Sequence, residues 1–389
     1  MSATTLDPEW QLLLAACSAG TSSKNSALLH PLLRPSVRWQ SLFALADHHG
    51  VQPLLFQTLK SLEAAVPPAE MLAIAQSSQT NLHKSLLLAR ELIRIVDHLS
   101  SLNLEVIPYK GLALAELIYR DIALRQPGDI DLLIHADDFP RIHDAVHELG
   151  YTAQTQFSKA QERAYLKSGY ECAFDGAAGR NLLEVQWAVL PRFYAMDFDM
   201  NGLFDRAVTV TVAGRPMKTP CPADLLLVLA VHAAKHVWSR LVWLCDIARL
   251  IAQLMSDPDL PWDWVESQAR SLGIARIVSV SLLLSHRLLG AALPPGAEEL
   301  VAADPASHLL AQEIQTRIAT NAAMDVESVA YFRLMMRLRE RRADRVRFLQ
   351  RLIFTPGPGE WNAIRLPQSL FPLYRVVRLS RLAARLIRT

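Results

Sequence analysis

The feature that most constrains the fold is a change of hydrophobic periodicity at Leu104. Residues 8–103 repeat apolar side chains at helical spacing, and a long helix is predicted from Pro68 to about Leu102. The run LEVIPYK, which starts at Leu104, has the short apolar and β-branched pattern of a strand. After a helical stretch, GDIDLLI at 128–134 predicts a second strand. The middle third of the chain is therefore α/β.

Two further pairs of strands are predicted in the middle third. The runs GYECAFD and LLEVQW, separated by a Gly-rich turn, indicate a β-hairpin, and AVTVTVAGRPMKT indicates a second short pair. We therefore expect an α+β fold with a central mixed sheet and helical regions at both ends. The expected divisions are an N-terminal helical region at 1–103, an α/β core at 104–220 and a C-terminal helical region at 221–389.

Composition argues against several protein classes. The chain has 389 residues, of which 51% are hydrophobic and 20% are charged, as expected for a protein with a large core. No apolar run reaches the roughly 18 to 20 residues of a membrane span, and the acidic residues before the apolar run at 12–20 are unlike a signal peptide. The four cysteines lack metal-ligand spacing, which argues against zinc and favours free thiols. We expect a cytoplasmic protein.

Asp129 and Asp131 stand one residue apart at the start of an apolar strand, where an unpaired carboxylate is costly. Alternate residues of a strand face the same side, so the two carboxylates point together. Glu184, in LLEVQW, would join them if the two strands were neighbours. Three carboxylates suit a two-metal centre holding Mg²⁺ or Mn²⁺, with Glu184 also taking a proton from the acceptor. The alternatives are a solvated strand end with Asx turns for the aspartates and an exposed hairpin position for Glu184.

Other polar residues extend this candidate site. Lys110 and Gly111 stand where a strand turns into a helix, so backbone N–H groups and the Lys110 charge can hold phosphate. Arg125 either contacts phosphate or pairs with an acid. An unbroken helix over HAAKHVWSRLVWLCD would line a cleft with a polar face, unless its histidines and tryptophan only pack in the core. The members of that face would be His232, His236, Ser239, Trp243 and Asp246.

The order of strand, Gly turn, helix, DIDLLI and a later strand acid resembles the polymerase-beta-type nucleotidyltransferase superfamily. More closely, the chain is similar to a bacterial family of uncharacterised nucleotidyltransferases often found near exopolysaccharide or peptide-modification genes. The runs that carry this similarity are HHGVQPLLFQTL, YKG, GDIDLLI, LEVQW, HAAKHVWSRLVWLCDIARL and TPGPGEWNAIRLP. The resemblance implies a polymerase-beta-like mixed sheet and an EC 2.7.7-type enzyme that uses Mg²⁺ and an NTP such as ATP.

The resemblance also implies transfer of an NMP group to an acceptor, which would be a small molecule, a saccharide or a peptide. No sequence-specific nucleic acid is expected as a partner. Gln186 stands where the family commonly has a histidine, and Lys110-Gly111 replaces the usual Gly-Ser or Gly-Gly turn. These departures leave open a non-catalytic binding or assembly protein that retains the fold. Kinase-like phosphoryl transfer at the same site is a second alternative.

The C-terminal segment is strongly basic. Residues 331–389 contain 14 Arg and three acids, a net charge of +11. The last predicted helix places arginines on one face and apolar residues on the other. The arginines are Arg375, Arg378, Arg381, Arg385 and Arg388, and the apolar residues are Val376, Val377, Leu379, Leu386 and Ile387. Such a helix either contacts an anionic membrane or is a solvated face whose Arg stems cover apolar surface.

Overall fold

The seven strands of the described residues form a five-stranded mixed sheet and a separate two-stranded ribbon. The computed structural model describes residues 7–18, 29, 33, 37–62, 65–155, 157–179, 181–256, 262–326 and 328–388. The sheet strands are β1 (Val106–Pro108), β2 (Ile130–Ile134), β3 (Thr152–Ala153), β4 (Glu171–Asp175) and β5 (Leu182–Gln186). The ribbon consists of β6 (Val208–Val212) and β7 (Arg215–Thr219). The predicted α+β class with a central mixed sheet is confirmed.

The sheet order β1-β2-β5-β4-β3 brings distant parts of the chain together. Strands β2 and β5 run parallel, whereas β1 with β2, β5 with β4, and β4 with β3 are antiparallel. In the parallel pair, Asp131 lies opposite Glu184. All five residues of β2 are buried, because the apolar run of this strand is covered on both faces.

Helices cover the apolar faces of the sheet. The helices that precede the ribbon are α1 (Pro8–Cys17), α2 (Trp39–His48), α3 (Gln52–Lys60), α4 (Pro68–Ser101), α5 (Gly111–Tyr119), α6 (Phe139–Glu148), α7 (Lys159–Leu166) and α8 (Met200–Asp205). The long helix predicted from Pro68 is thus confirmed as α4. The signal-like apolar run forms most of α1, whose Leu12, Leu13 and Cys17 are buried.

Ten helices of the described chain follow the ribbon. They are α9 (Pro222–Lys235), α10 (Leu241–Met255), α11 (Trp262–Ser271), α12 (Ala275–Leu289), α13 (Pro295–Ala302), α14 (Pro305–Ala319), α15 (Val329–Arg337), α16 (Arg342–Phe354), α17 (Pro358–Ala363) and α18 (Tyr374–Arg388). The N-terminal helices join this region through hydrogen bonds such as Val242 N–H to the His49 carbonyl at 3.1 Å. Of the helices in the described ranges, none is both long and apolar enough to cross a membrane.

The prediction of one unbroken helix over HAAKHVWSRLVWLCD is wrong. Helix α9 ends at Lys235, and α10 begins at Leu241. Between them, Val237 and Trp238 both adopt left-handed backbone conformations, with φ of 55° and 49°. The break occurs because Trp238 turns into the core, where it is fully buried and its Nε1 donates to Ser281 Oγ at 2.9 Å. The polar residues on either side of the break therefore do not form one helical face.

The C-terminal arginines are not a uniformly solvated stripe. Arg378 is buried, and its guanidinium donates to Glu360 at 3.2 Å and to the Leu352 carbonyl at 3.0 Å. Arg381 also pairs with Glu360. The side chains of residues 385–389 lie outside the described residues. Because Glu360 attracts the basic face inward, Val376 and Leu379 are exposed instead of covered. The membrane contact of this helix stays a prediction.

Candidate active site

Three carboxylates meet at one end of the central strands. Asp131 lies on β2, Asp129 immediately precedes that strand, and Glu184 lies on the parallel neighbour β5. One carboxylate oxygen from each residue lies within 4.8 Å of the others. Asp131 is buried, whereas Asp129 and Glu184 are half-buried. The parallel pairing of β2 and β5 therefore produces a compact acidic cluster from residues more than fifty positions apart.

The crowding of these acids changes their protonation. Burial, followed by repulsion from Asp131, raises the pKa of Asp129 to about 6. Burial and the charges of Asp131 and Glu171 raise the pKa of Glu184 to about 8. Both shifts show that the folded protein disfavours the fully ionised cluster in the absence of a cation. The donor set consists of hard carboxylate oxygens in one half-buried place, which fits Mg²⁺ or Mn²⁺.

The Gln186 side chain forms hydrogen bonds with the acidic residues around it. Its Nε2 donates to Glu184 Oε2 at 2.8 Å, and weaker contacts join it to Glu171 at 3.4 Å and Asp131 at 3.5 Å. Its carbonyl oxygen accepts a hydrogen bond from the Tyr109 hydroxyl, and the side chain is 2% exposed. A side-chain amide donates through its nitrogen and accepts through its oxygen, so these partners set the orientation of the Gln186 side chain. Gln186 therefore orients the Glu184 carboxylate in the folded chain.

Lys110 is the cation closest to the cluster, since its Nζ donates to Asp131 Oδ1 at 2.8 Å. Burial lowers the pKa of Lys110, but attraction to Asp131 and Tyr109 outweighs that effect and raises it overall. The next residue, Gly111, has a φ of +51°, and a Cβ there would lie 3.3 Å from the Asp129 carbonyl oxygen. Glycine is thus required for the close approach of the α5 N-terminus to the backbone that precedes β2.

Arg125 pairs with an acid, which was one of its two expected roles. Its Nε donates to Asp246 Oδ2 at 3.1 Å, and Asp246 also accepts from the Tyr119 hydroxyl at 2.9 Å. Asp246 is completely buried and Arg125 is 9% exposed. The pair joins the loop before β2 to helix α10, so Arg125 stabilises the wall of the site.

A cavity of about 330 Å³ opens over the carboxylates. His232 and His236 line it beside Trp243, with ring centroids 4.8 to 5.4 Å apart. Burial lowers the pKa of both histidines, to about 3 for His236, with repulsion from nearby lysines adding to the effect. Both rings are therefore neutral at neutral pH, and they offer stacking surfaces and single hydrogen bonds instead of positive charge. Helices α9 and α10 therefore still contribute His232 and Trp243 to one wall of this cavity.

The sequence reasoning missed Glu171 and gave Lys235 no clear role. Glu171 on β4 lies opposite Gln186 and lines the cavity as a fourth acid. Lys235 donates to the Tyr170 hydroxyl at 3.0 Å, and its attraction to Glu171 partly offsets the burial that lowers its pKa. The sequence signal for Glu171 was its alternation with the buried residues Cys172 and Phe174. Placing Glu171 in the site from that signal also required the register of β4 against β5.

A comparison with protein-family models identifies the family of the chain. A family model described as uncharacterised nucleotidyltransferase matches residues 35–290, more than half of the chain. The crystal structure of an antigenic nucleotidyltransferase-like protein from Paracoccidioides brasiliensis aligns at 17% identity and a TM-score of 0.33, covering 55% of this chain and 95% of that one. No curated protein matches the chain. The match covers every run that carries the resemblance except TPGPGEWNAIRLP, and the chain belongs to the uncharacterised nucleotidyltransferase family.

Proposed function

We propose that the protein transfers an NMP group from an NTP to an acceptor and releases pyrophosphate, with Mg²⁺ or Mn²⁺ bound by Asp129, Asp131 and Glu184. The observation that carries the proposal is the placement of these three carboxylates within 4.8 Å of one another beneath a cavity. When bound, the divalent ions would supply positive charge for the phosphates and the leaving oxygen. The family of the chain supports the same reaction class.

Acidic and basic residues both line the cavity. The acids are Asp129, Asp131, Glu171 and Glu184, and the basic residues are Lys110, Arg125, Lys235 and Arg240. We propose that Lys235 contacts the phosphates of the NTP, since among the described residues its ammonium group donates a hydrogen bond to the Tyr170 hydroxyl and forms no ion pair within 4 Å. The neutral rings of His232, His236 and Trp243 offer apolar faces for the nucleobase.

Glu184 is the proposed proton acceptor. In the transfer, the acceptor oxygen forms a bond to the α-phosphorus, and the bond from that phosphorus to the oxygen bridging the β-phosphate breaks. Pyrophosphate leaves, and the acceptor proton passes to Glu184. Gln186 fixes the orientation of this carboxylate through its 2.8 Å hydrogen bond. A carboxylate held in reach of the nucleophile typically contributes about 10²- to 10⁴-fold to the rate.

The test uses ATP labelled at the α- or the γ-phosphate, with Mg²⁺ or Mn²⁺ and a cell extract cleared of macromolecules as the source of acceptor. Transfer of the α-label together with pyrophosphate release is expected. Asp131→Asn should abolish both, whereas Asp137→Asn, an exposed aspartate beyond the same strand, should react like the wild type. Transfer of the γ-label would indicate phosphoryl transfer instead.

Binding of a non-hydrolysable ATP analogue to the wild type, measured by calorimetry, separates the remaining outcomes. Tight metal-dependent binding without any transfer would favour a non-catalytic binding protein. Absence of metal-dependent binding would contradict the proposed function itself, because the carboxylates would then have no nucleotide to act on.

A further inference from the structure

A second cavity of about 270 Å³ borders the cavity above the carboxylates. The two cavities share the side chains of His236 and Arg240. His48 and residues 317–326, from two distant segments of the chain, complete the second cavity. Its other polar residues are His48, Ser239, Arg317 and Asn321. A molecule bound there would lie beside the cavity in which the nucleotide is proposed to bind.

The shared wall is built on strained backbone. Val237 and Trp238 are consecutive left-handed residues, and this conformation is especially unfavourable for a β-branched valine. The fully buried Trp238 side chain holds the turn in place through its bond to Ser281. His236 precedes the turn and Arg240 follows it, so the turn directs both side chains toward the two cavities.

The second cavity is basic and partly apolar. Arg240 is exposed, and no carboxylate of the described chain forms an ion pair with it. Arg317 has only a long contact of 3.8 Å with Glu313, which binds Arg337 more closely at 2.7 Å. Among the described residues that line this cavity none is acidic, and its apolar residues are Val237, Ile318, Ala322, Ala323, Met324 and Val326. Two arginines beside apolar surface suit an organic anion.

The outer wall of this cavity lies outside the part of the chain that the family model matches. That match ends at residue 290, whereas Arg317 and the residues that follow it belong to 317–326. The catalytic carboxylates, in contrast, all lie within the matched range. Proteins that share a fold can differ in their acceptors, and a cavity wall outside the matched range is a place where such a difference can arise.

We propose that the second cavity binds the acceptor, and that this acceptor is an organic anion whose carboxylate or phosphate group pairs with Arg317 and Arg240. The apolar part of the acceptor would lie against Met324 and Val326. Its nucleophilic oxygen would reach the α-phosphorus past His236 and lose its proton to Glu184, with pyrophosphate as the leaving group. This inference rests on the proposed function for its role, but the anion site itself can be tested without nucleotide.

The test measures binding of three small probes to the full-length protein by ligand-observed NMR. Hexanoate and hexyl phosphate carry the anionic groups, and hexanol is their uncharged match. We expect both anions to bind more tightly than hexanol, and the tighter of the two identifies the preferred head group. Arg317→Ala should weaken anion binding about tenfold or more, because a charge-assisted hydrogen bond is lost. Arg317→Lys should restore most of it.

Two controls separate this effect from a general loss of charge or structure. Arg342→Ala removes another exposed arginine and should leave probe binding unchanged. Arg317→Ala should bind the ATP analogue with wild-type affinity, since Arg317 is not among the described residues that line the catalytic cavity. Weaker analogue binding in this variant would indicate a damaged fold, and Arg317→Lys then decides the result.

Three results would overturn the proposal. Equal binding of hexanol and hexanoate, or wild-type anion binding by Arg317→Ala, would show that this cavity does not select anions. Displacement of the probes by the ATP analogue would assign the cavity to the nucleotide. If the wild type binds no ATP analogue at all, the proposed function fails, and with it the acceptor role, whereas anion binding still reports on the cavity.

Discussion

Glu184→Gln, examined without divalent metal, tests the electrostatic account of the acidic cluster. The pKa of Glu184 is raised from 4.5 to about 8 by burial and by the neighbouring acids. A carboxyl group whose pKa is raised in the folded state stabilises the fold below its unfolded pKa, and that contribution is lost as the pH rises through the folded pKa. The wild type should therefore lose stability between pH 4.5 and about 8, and the glutamine variant should lose less.

The expected magnitude follows from the same shift. Each pKa unit corresponds to about 1.4 kcal/mol, so a shift from 4.5 to about 8 sets an upper limit near 5 kcal/mol. Glu184 retains some exposure to solvent and shares its charge interactions with Asp131, which reduces this value. At pH 9 the glutamine variant should exceed the wild type by about 2 to 4 kcal/mol in unfolding free energy, and at pH 5 the two should be similar.

Urea denaturation in the presence of EDTA at pH 5, 7 and 9 measures this difference. The matched control is Glu299→Gln, an exposed glutamate, which should show no pH-dependent gain. Saturating Mg²⁺ should reverse the order, because the wild type gains the metal's binding energy and the variant loses one ligand. A glutamine variant no more stable than the wild type at pH 9 would refute the reasoning, since the carboxylates could not then be crowded as described.

Three further predictions concern the residues that support the site. Arg125→Met should lower the unfolding free energy by about 3 to 5 kcal/mol in urea denaturation, because Asp246 would stay buried without its partner; a loss below about 1 kcal/mol would contradict this. Gly111→Ala should cost about 1 to 3 kcal/mol, since φ is +51° and the new methyl would lie 3.3 Å from a backbone oxygen; unchanged stability would show that the turn adapts. Gln186→Leu should slow pyrophosphate release about tenfold or more, because Glu184 loses its 2.8 Å donor; an unchanged rate would remove Gln186 as a positioning residue.

The sequence predicted elements better than it predicted which side chains meet. The long helix α4 and every described strand except β3 follow from the spacing of apolar residues along the chain, which is local information. The same reasoning failed at Val237 and Trp238, where the pattern continues but the backbone turns. Burial of Trp238 against α12 outweighs local helix propensity there, and propensity alone cannot report such a tertiary contact.

The site shows the same division between local and tertiary information. The spacing of Asp129 and Asp131 predicted that they face one side, because alternation along a strand is a property of the backbone. Their meeting with Glu184 was only conditional until the parallel pairing of β2 with β5 was known. The register of β4 against β5 places Glu171 in the site, and residue spacing along the chain does not predict that register.

The sequence by itself determined most elements of the α+β fold and the residue types of the cluster, because periodicity and residue type act over a few positions. The tertiary structure alone decided how charges are paired. It turned Arg378 inward toward Glu360, and it brought Arg125 to Asp246 from over a hundred residues away. It also placed Arg317 in the wall of a cavity beside the one above the carboxylates. Charge interactions depend on distance and burial, and only the folded chain sets both.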